Sequence, residues 1–565
     1  MKPWQALVVS FMLICSFGKK GTAQTSGSNC GWLKVKIEKQ ATSASLFGNK
    51  DLSALQWSRA AFIQDADSIY TIPVVVHVIH TGTAIGAPDN PSDASINAMI
   101  SSLNDSWRKN GSQYGGADMK MQFKLANRSP QCGATTGIVR INGSSIYNYN
   151  TGGIAIYTYP GSADEWTVKG VSRWSNTDYI NIWIVNKING STTSPGGFAY
   201  FAEYNNANTD GIVVSASCVN GFNKTIAHEM GHVFNLYHTF YDDGNETQCP
   251  RTDSCSDFGD RVCDTEPDLV EYYCANTINA CTGLPYLTAD VPHNYSVLNN
   301  YMNYTNCALM FSEGQKTRAR NTLFSYRHGL ISSGGINAVP TSFPAAACAA
   351  TADNSLSPYY GIEKVNFNTL SVYSNSSLAD SSFYIDRSCN QRTTVFKGQQ
   401  YPLEIIGSYE NSCWIKAFLD YNNDGDFNDA GESLVSTFST TGHVIVNLTI
   451  PSNSVAGVPL RLRIVADAPG AQPTACHLTG DPQNGAGQIE DYGVIVAAGT
   501  AQSAASGPWT TPGTWDCNCI PQSTDQVTIK AGHTVSVNTA VQCASLNIQT
   551  GAVLNVNGNT VTVNR

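Results

Sequence analysis

Three imidazoles and one carboxylate, His228, Glu229, His232 and His238, stand at a spacing suited to holding a zinc ion beside a proton acceptor. His228 and His232 are four residues apart, so a helix over 223–234 places them one turn apart on the same face, converging on one ion. Glu229 then lies within reach of a water on that ion. Zinc lowers the pKa of such a water to about 7, and a neighbouring carboxylate can take its proton and later deliver it to a leaving amine. His238 is the expected third zinc ligand. An unbroken helix would turn it away, so the chain must bend sharply after His232. Asn235 falls at that bend, and asparagine is the non-glycine residue that most readily accepts positive φ. Three protein ligands leave one coordination position open, which marks a catalytic rather than a structural zinc site.

A second segment, 299–315, carries Met302 and Tyr304 and resembles the methionine-containing turn beneath the zinc in metzincins. Together the two segments resemble the pappalysin family of metzincin endopeptidases, in which the helix runs on into a Leu-Tyr-His-Thr-Phe string such as 236–240. The stretch 260–267, Asp-Arg-Val-Cys-Asp-Thr-Glu-Pro, carries the same likeness, and the similarity covers roughly 69–330. Asn235 departs from the family, which has glycine there. The resemblance implies an α+β metzincin catalytic domain of the zincin type, with His228, His232 and His238 as zinc ligands, Glu229 as general base and acid, Met302 as the floor of the site and Tyr304 as transition-state stabiliser.

The elements that must position these groups belong to a long chain. Its 565 residues are 42% hydrophobic, enough for several cores at about 150 residues per domain. Charged residues make up only 13%, and a net charge of −10 with no basic run excludes a nucleic-acid-binding role, which depends on clustered Lys and Arg. Lys2, the apolar run 6–17 and the small residues ending near Ala23 read as a secretory signal peptide over 1–23. Bulky Ile14 argues against lipid attachment at Cys15. No later stretch is apolar and long enough to be expected as a membrane span. Export makes the seventeen cysteines intelligible as disulfides rather than zinc ligands. Eight fall within 69–330 and four within 348–476, even counts suited to self-contained domains. Three remain in the tail.

Residues 24–68 read as a prosegment, in which Cys30 is either a thiolate that blocks the zinc or a disulfide partner. The catalytic domain, 69–333, has apolar runs at 72–79, 119–125, 180–185 and 212–214 and a helical pattern over 93–107. Residues 196–201 resemble an exposed edge strand to which a peptide could add. His77 and His80 fall on a strand and read as packing residues. An Ala/Pro/Ser-rich linker, 334–357, precedes short strands and turns over 358–498, the pattern of a β-sandwich. Within it, 420–432 places oxygen-bearing side chains at alternating positions around Gly425, suiting either calcium or an acidic solvated turn; Glu432 stands one residue late for an EF-hand. With 487–492 this region resembles the GEVED-type β-domains of secreted bacterial enzymes, which implies an accessory role in surface or glycan attachment. The tail, 499–565, repeats short β runs between glycine turns, like the first rungs of a β-solenoid. Few rungs and an odd cysteine count are what a truncated chain would show.

The expected protein is therefore a multidomain, secreted zinc endopeptidase, made as a zymogen, that cleaves protein or peptide substrates and carries noncatalytic β-modules. Two rivals stand beside it. One is an adhesion or glycan-binding surface protein with a degenerate zincin domain; the other is a zinc hydrolase acting on a non-protein amide.

Overall fold

A computed structural model describes residues 68–563 except 110–114, 203–207, 289–294, 375, 379, 381, 409–410, 498, 517–519, 522–524 and 544. The expected signal peptide, the prosegment up to residue 67 with Cys30, and Cys517 and Cys519 in the tail lie outside the described residues.

The first sheet is built around β1 (Tyr70–His80), whose residues from Ile72 to Ile79 are buried. A run in which all but Pro73 and His77 are β-branched suits a central strand covered on both faces. It pairs in parallel with β2 (Met121–Leu125), β3 (Ile138–Asn142) and β4 (Ile180–Val185). β5 (Gly197–Ala199) and β6 (Ile212–Ser215) complete the sheet in the order β2-β1-β4-β6-β5. β6 runs parallel to β4, whereas β5 is antiparallel and last in the sheet order. Residues 196–201, expected as an exposed edge strand, are at the edge but all buried, because helices over 165–170 and 225–233 pack against them.

Helix α1 (Asp93–Arg108) starts at Ser92, whose side chain accepts the Ser95 N–H, and buries Ile96, Met99, Ile100, Leu103 and Trp107. This spacing is a single helical face. A short helix, α2 (Glu165–Gly170), lies beneath the β5 region, where Lys169 Nζ sits 5.3 Å from the Phe198 ring. α3 (Thr225–Val233) carries the histidine motif, two residues shorter at its start and one at its end than the motif predicts. α4 (Glu313–Ser325) opens on a capping box between Ser312 and Gln315. One core joins β1, α1, β4, β6 and α3 to Met302, Phe311 and Leu323.

Residues 351–497 fold into two main sheets. One orders β10 (Tyr384–Asp386), β18 (Gln488–Ala497), β16 (Pro459–Asp467), β13 (Cys413–Leu419) and β14 (Ser433–Ser439), with β11 (Arg392–Phe396) also paired to β18. The other orders β15 (His443–Thr449), β12 (Gln400–Ile406), β8 (Lys364–Phe367) and β9 (Leu370–Tyr373). Val365, Ile405, Ile415, Leu462, Ile464 and Val494 from the two sheets share one core. The segment expected as a linker is tied into this unit: β7 (Thr351–Ala352) pairs with β17 (His477–Leu478), and Cys348 is bonded to Cys476.

The disulfides overturn the expectation of domains that each close their own cysteine count. Cys249–Cys281, Cys255–Cys263 and Cys274–Cys307 do stay within the first region. Cys132 instead bonds Cys389, joining the first region to the second and leaving Cys218 and Cys413 as free thiols. Each region thus leaves two cysteines outside its internal pairs, one bridging and one free, so an even count did not mark a closed domain. Around this crosslink Arg387 reaches Glu490 at 2.8 Å and Asp178 at 3.8 Å, Asn390 donates to the Tyr179 hydroxyl, and Arg128 donates to the Cys389 carbonyl.

Beyond residue 499 the described strands pair in parallel, with one isolated antiparallel bridge between Ser503 and Trp515. Thr500–Gln502, Gln526–Ile529 and Ser545–Ile548 form one ladder; Gly507–Pro508, Thr534–Ser536 and Val553–Asn555 form another; Val541–Cys543 and Val561–Val563 form a third. Among the described residues, no helix is long and apolar enough to cross a membrane.

Candidate metal centre

α3 is wholly buried, and its two histidines face the segment that follows it. The helix ends because Asn235 adopts φ +61°, the left-handed conformation that the motif requires, and the Leu236 N–H turns back to the Gly231 carbonyl. Two arginines close the exposed carbonyl end: Arg327 donates to Val233 O at 2.8 Å and Arg318 to Asn235 O at 2.6 Å. Positive charge there also complements the negative end of the helix dipole. Arg327 is itself fixed by two bonds to Asp210, at 2.9 and 2.7 Å, so the helix terminus is anchored to the segment just before β6.

The bend brings His238 back to its companions. His228 Nε2 lies 3.2 Å from His232 Nε2 and 3.2 Å from His238 Nε2. Each opposite ring nitrogen donates to a fixed acceptor: His228 Nδ1 to Tyr301 O at 2.7 Å, His232 Nδ1 to Leu236 O at 2.8 Å, and His238 Nδ1 to Glu246 Oε1 at 2.8 Å. These bonds set the tautomer, so all three Nε2 atoms present lone pairs. Burial, reinforced by the neighbouring imidazole of His238, lowers the His228 pKa to about 3; His232 is likewise held well below the usual histidine range. Neutral imidazoles with converging lone pairs repel one another unless an electrophile lies between them. An all-nitrogen set of three is the donor chemistry of zinc, and the residues fit it.

Glu246 was not foreseen. Nothing in the spacing of 242–248 distinguishes it from an ordinary polar loop. The loop wraps around Asp242, whose carboxylate accepts the N–H groups of Gly244, Glu246, Thr247 and Gln248. Burial pushes the Asp242 pKa up, but those four donors outweigh it and hold the carboxyl below its ordinary value. The wrap supports Glu246 at φ +61° and aims its carboxylate at His238.

Glu229 is completely buried, next to His228 on α3. β5 passes directly over it. A methyl group added at Gly197 would meet Val213 O at 2.9 Å, Thr225 Cγ2 at 3.0 Å and Glu229 Cγ at 3.1 Å, so only glycine lets the edge strand come this close. Met302 is fully buried, packs its sulfur against Gly231, and belongs to the same core as Met230, Val233 and Leu236. The turn around it contributes two backbone contacts: Tyr301 O to His228, and Met302 O to the Thr239 N–H at 3.3 Å. Asp268, from the cysteine-rich stretch, accepts from Asn303 Nδ2 at 2.7 Å and holds the turn from the other side. Tyr304 projects beside the histidines, its ring 4.8 Å from His238 and 5.7 Å from His228, and is flanked by Phe240 and Tyr272.

The structure therefore brings His228, Glu229, His232, His238, Met302 and Tyr304, all expected from sequence, to one place. His77 does not join them. It is buried on β1, stacked on Trp183 and bonded to Asn181, and burial lowers its pKa to about 4. His80 accepts the Gly82 N–H near the end of the same strand.

Buried neutral imidazoles converging beside a carboxylate define a metallopeptidase centre, and comparison with known proteins agrees. Residues 164–324 match the peptidase family described as Pregnancy-associated plasma protein-A, and residues 414–495 match the GEVED domain. Residues 164–324 thus carry a pappalysin-type peptidase domain, and the chain is a zinc metalloendopeptidase with a β-rich C-terminal region. An extracellular metalloprotease of Arthroderma otae is 25% identical over 273 residues, 46% of this chain and 80% of its own length. Another, from Arthroderma benhamiae, is 25% identical over 333 residues, 56% of this chain and 98% of its own. Mature mirolysin of Tannerella forsythia with a cleaved peptide matches 47% of this chain and 96% of its own at 25% identity and a TM-score of 0.35. The adhesive alternative with a degenerate zincin domain is not favoured.

Proposed function

We propose that His228, His232 and His238 hold the catalytic zinc, that Glu229 is the general base and acid, and that Tyr304 stabilises the oxyanion of peptide-bond hydrolysis. The convergence of three Nε2 atoms, each fixed by a bond at Nδ1, carries this reading. When bound, zinc supplies Lewis acidity toward the scissile carbonyl and brings the pKa of a coordinated water to about 7. The Glu229 carboxylate takes the proton of the attacking water on one oxygen and passes it to the leaving amine nitrogen. The Tyr304 hydroxyl donates to the oxygen on which charge develops. β5 is the last strand of the sheet among the described residues, and an extended substrate that paired with its backbone would lie close to Glu229, which Gly197 approaches.

The same reading divides the chain into signal peptide 1–23, prosegment 24–68, catalytic domain 69–333, linker 334–357, GEVED-like β-sandwich 358–498 and tail 499–565. The stacked parallel ladders support a β-solenoid-like character for the tail. Secretion is supported by relatives named extracellular, and attachment to surfaces or glycans falls to the β-modules. Calcium is the ion suited to the acidic loop 420–432.

Replacing Glu229 by Ala tests the mechanism. Zinc content should be retained while cleavage of a peptide library falls at least about 100-fold, the scale of a positioned acid–base group. Undiminished cleavage refutes the assignment.

A further inference from the structure

The loop between β13 and β14 brings one carboxylate oxygen each from Asp420, Asp424 and Glu432 within 4.8 Å of one another. Asp420 and Glu432 are both completely buried. Buried carboxylates are ordinarily paired with a cation, because removing their charge from water is expensive. Here no Lys or Arg pairs with any of the three among the described residues. Glu432 Oε2 accepts the Asp429 N–H at 3.1 Å, whereas its buried Oε1 accepts no hydrogen bond. Asp420 receives the N–H groups of Asp424 and Gly425, and the Asn422 amide donates to Asp424 Oδ2 at 3.0 Å. These neutral donors do not offset three negative charges.

The loop also grips the chain that leaves the catalytic region. Asn423 Oδ1 accepts the Ala345 N–H at 2.9 Å, and a methyl group at Gly425 would stand 2.5 Å from Ala346 O, so the two backbones touch. Phe427 packs with Phe418, alongside Ala347 and Ala350. Nearby, Arg461 Nε donates to Ala345 O at 3.1 Å.

We propose that Asp420, Asp424 and Glu432 bind a calcium ion, and that this ion fixes the loop as a clasp over residues 345–347, holding the interdomain connection against the β-sandwich. This rests on the calcium reading above and extends it to a role. Hard carboxylate oxygens with no nitrogen or sulfur donor select calcium over zinc, so the two metal centres of the chain would not exchange ions. The clasp holds the backbone of an alanine-rich segment, 345–350, in which Ala346 and Ala349 are exposed, so that the segment cannot adapt to a protease that cuts after small residues.

The test uses the full chain carrying Glu229→Ala, loaded with zinc and freed of calcium, so that self-cleavage is absent. Calcium chloride is titrated by calorimetry, and elastase digestion is followed by mass spectrometry with and without calcium. The expected result is a calcium isotherm weakened about tenfold or more by Glu432→Gln, as loss of a charged ligand predicts, and elastase cleavage within 345–350 that calcium slows in the parent but not in the variant. Asp424→Asn, at an exposed position, gives the same reading if Glu432→Gln does not fold. Equal calcium affinity in parent and variants, or no binding at all, overturns the site. Binding that the variants abolish, with cleavage insensitive to calcium throughout, overturns the clasp and leaves the site.

Discussion

Glu246 acts on the candidate zinc centre through the hydrogen bond it accepts from His238. It fixes the tautomer and ring orientation of His238, the proposed third zinc ligand, as carboxylates behind metal-binding histidines do. Glu246→Ala should weaken zinc affinity about 10- to 100-fold, and Glu246→Gln, which keeps an acceptor for Nδ1–H, should recover most of it. Competition against a chromophoric chelator measures this. If the alanine variant binds zinc as tightly as the parent, the carboxylate has no positioning role. Sequence spacing made His228, Glu229, His232 and His238 legible because ligand chemistry demands a fixed helical offset. It did not reveal Glu246, since the loop's path depends on Asp242 collecting four N–H groups, and any short polar sequence could form such a turn.

At the level of elements, the proposed mechanism makes activity depend on how closely the β5 edge approaches α3. Gly197 permits that approach, and the hydrophobic and ionic packing under the strand sets its height. Lys169 on α2 forms a buried pair with Glu165 at 2.8 Å, and Glu165 accepts the Tyr200 hydroxyl at 2.6 Å, so α2 holds the residue that follows β5. Gly197→Ala should force strand and helix apart at a cost of about 1–3 kcal/mol, the usual penalty of overpacking. Because the displaced strand is the proposed substrate edge, kcat/KM should fall by more than the folded fraction does. Parallel measurement of denaturant unfolding and peptide turnover separates the two; unchanged turnover would mean that substrates do not use this edge. Strand positions were readable as apolar β-branched runs. That residues 196–201 lie directly above Glu229 was not, because sheet order is settled by the crossover connections rather than by any one strand.

For the whole molecule, the informative feature is the junction between the catalytic region and the sandwich. Arg387 is buried with Glu490 on one side and Asp178 on the other, next to the Cys132–Cys389 crosslink. Removing the guanidinium strands two buried carboxylates, so Arg387→Met should cost about 3–5 kcal/mol. Calorimetry should show parent protein unfolding both regions in one transition and the variant doing so at lower temperature or in two. A variant with the parent's transition would show that the junction carries no stability. The sandwich is then part of the catalytic region's support, not a module hung on a loose linker.

Sequence alone determined the reaction class, because metal coordination and proton transfer need particular atoms at particular offsets, and those offsets are written along one helix and the turn after it. It also set the order of α/β, β-rich and tail regions through the periodicity of apolar residues. Tertiary structure decided what no local pattern encodes: that Cys132 pairs with Cys389 rather than within its own region, that Glu246 backs His238, and that Glu432 folds in beside Asp420 and Asp424 despite its late position in the loop. Such partners are chosen by proximity after folding, and residues far apart in the chain carry no sign of it.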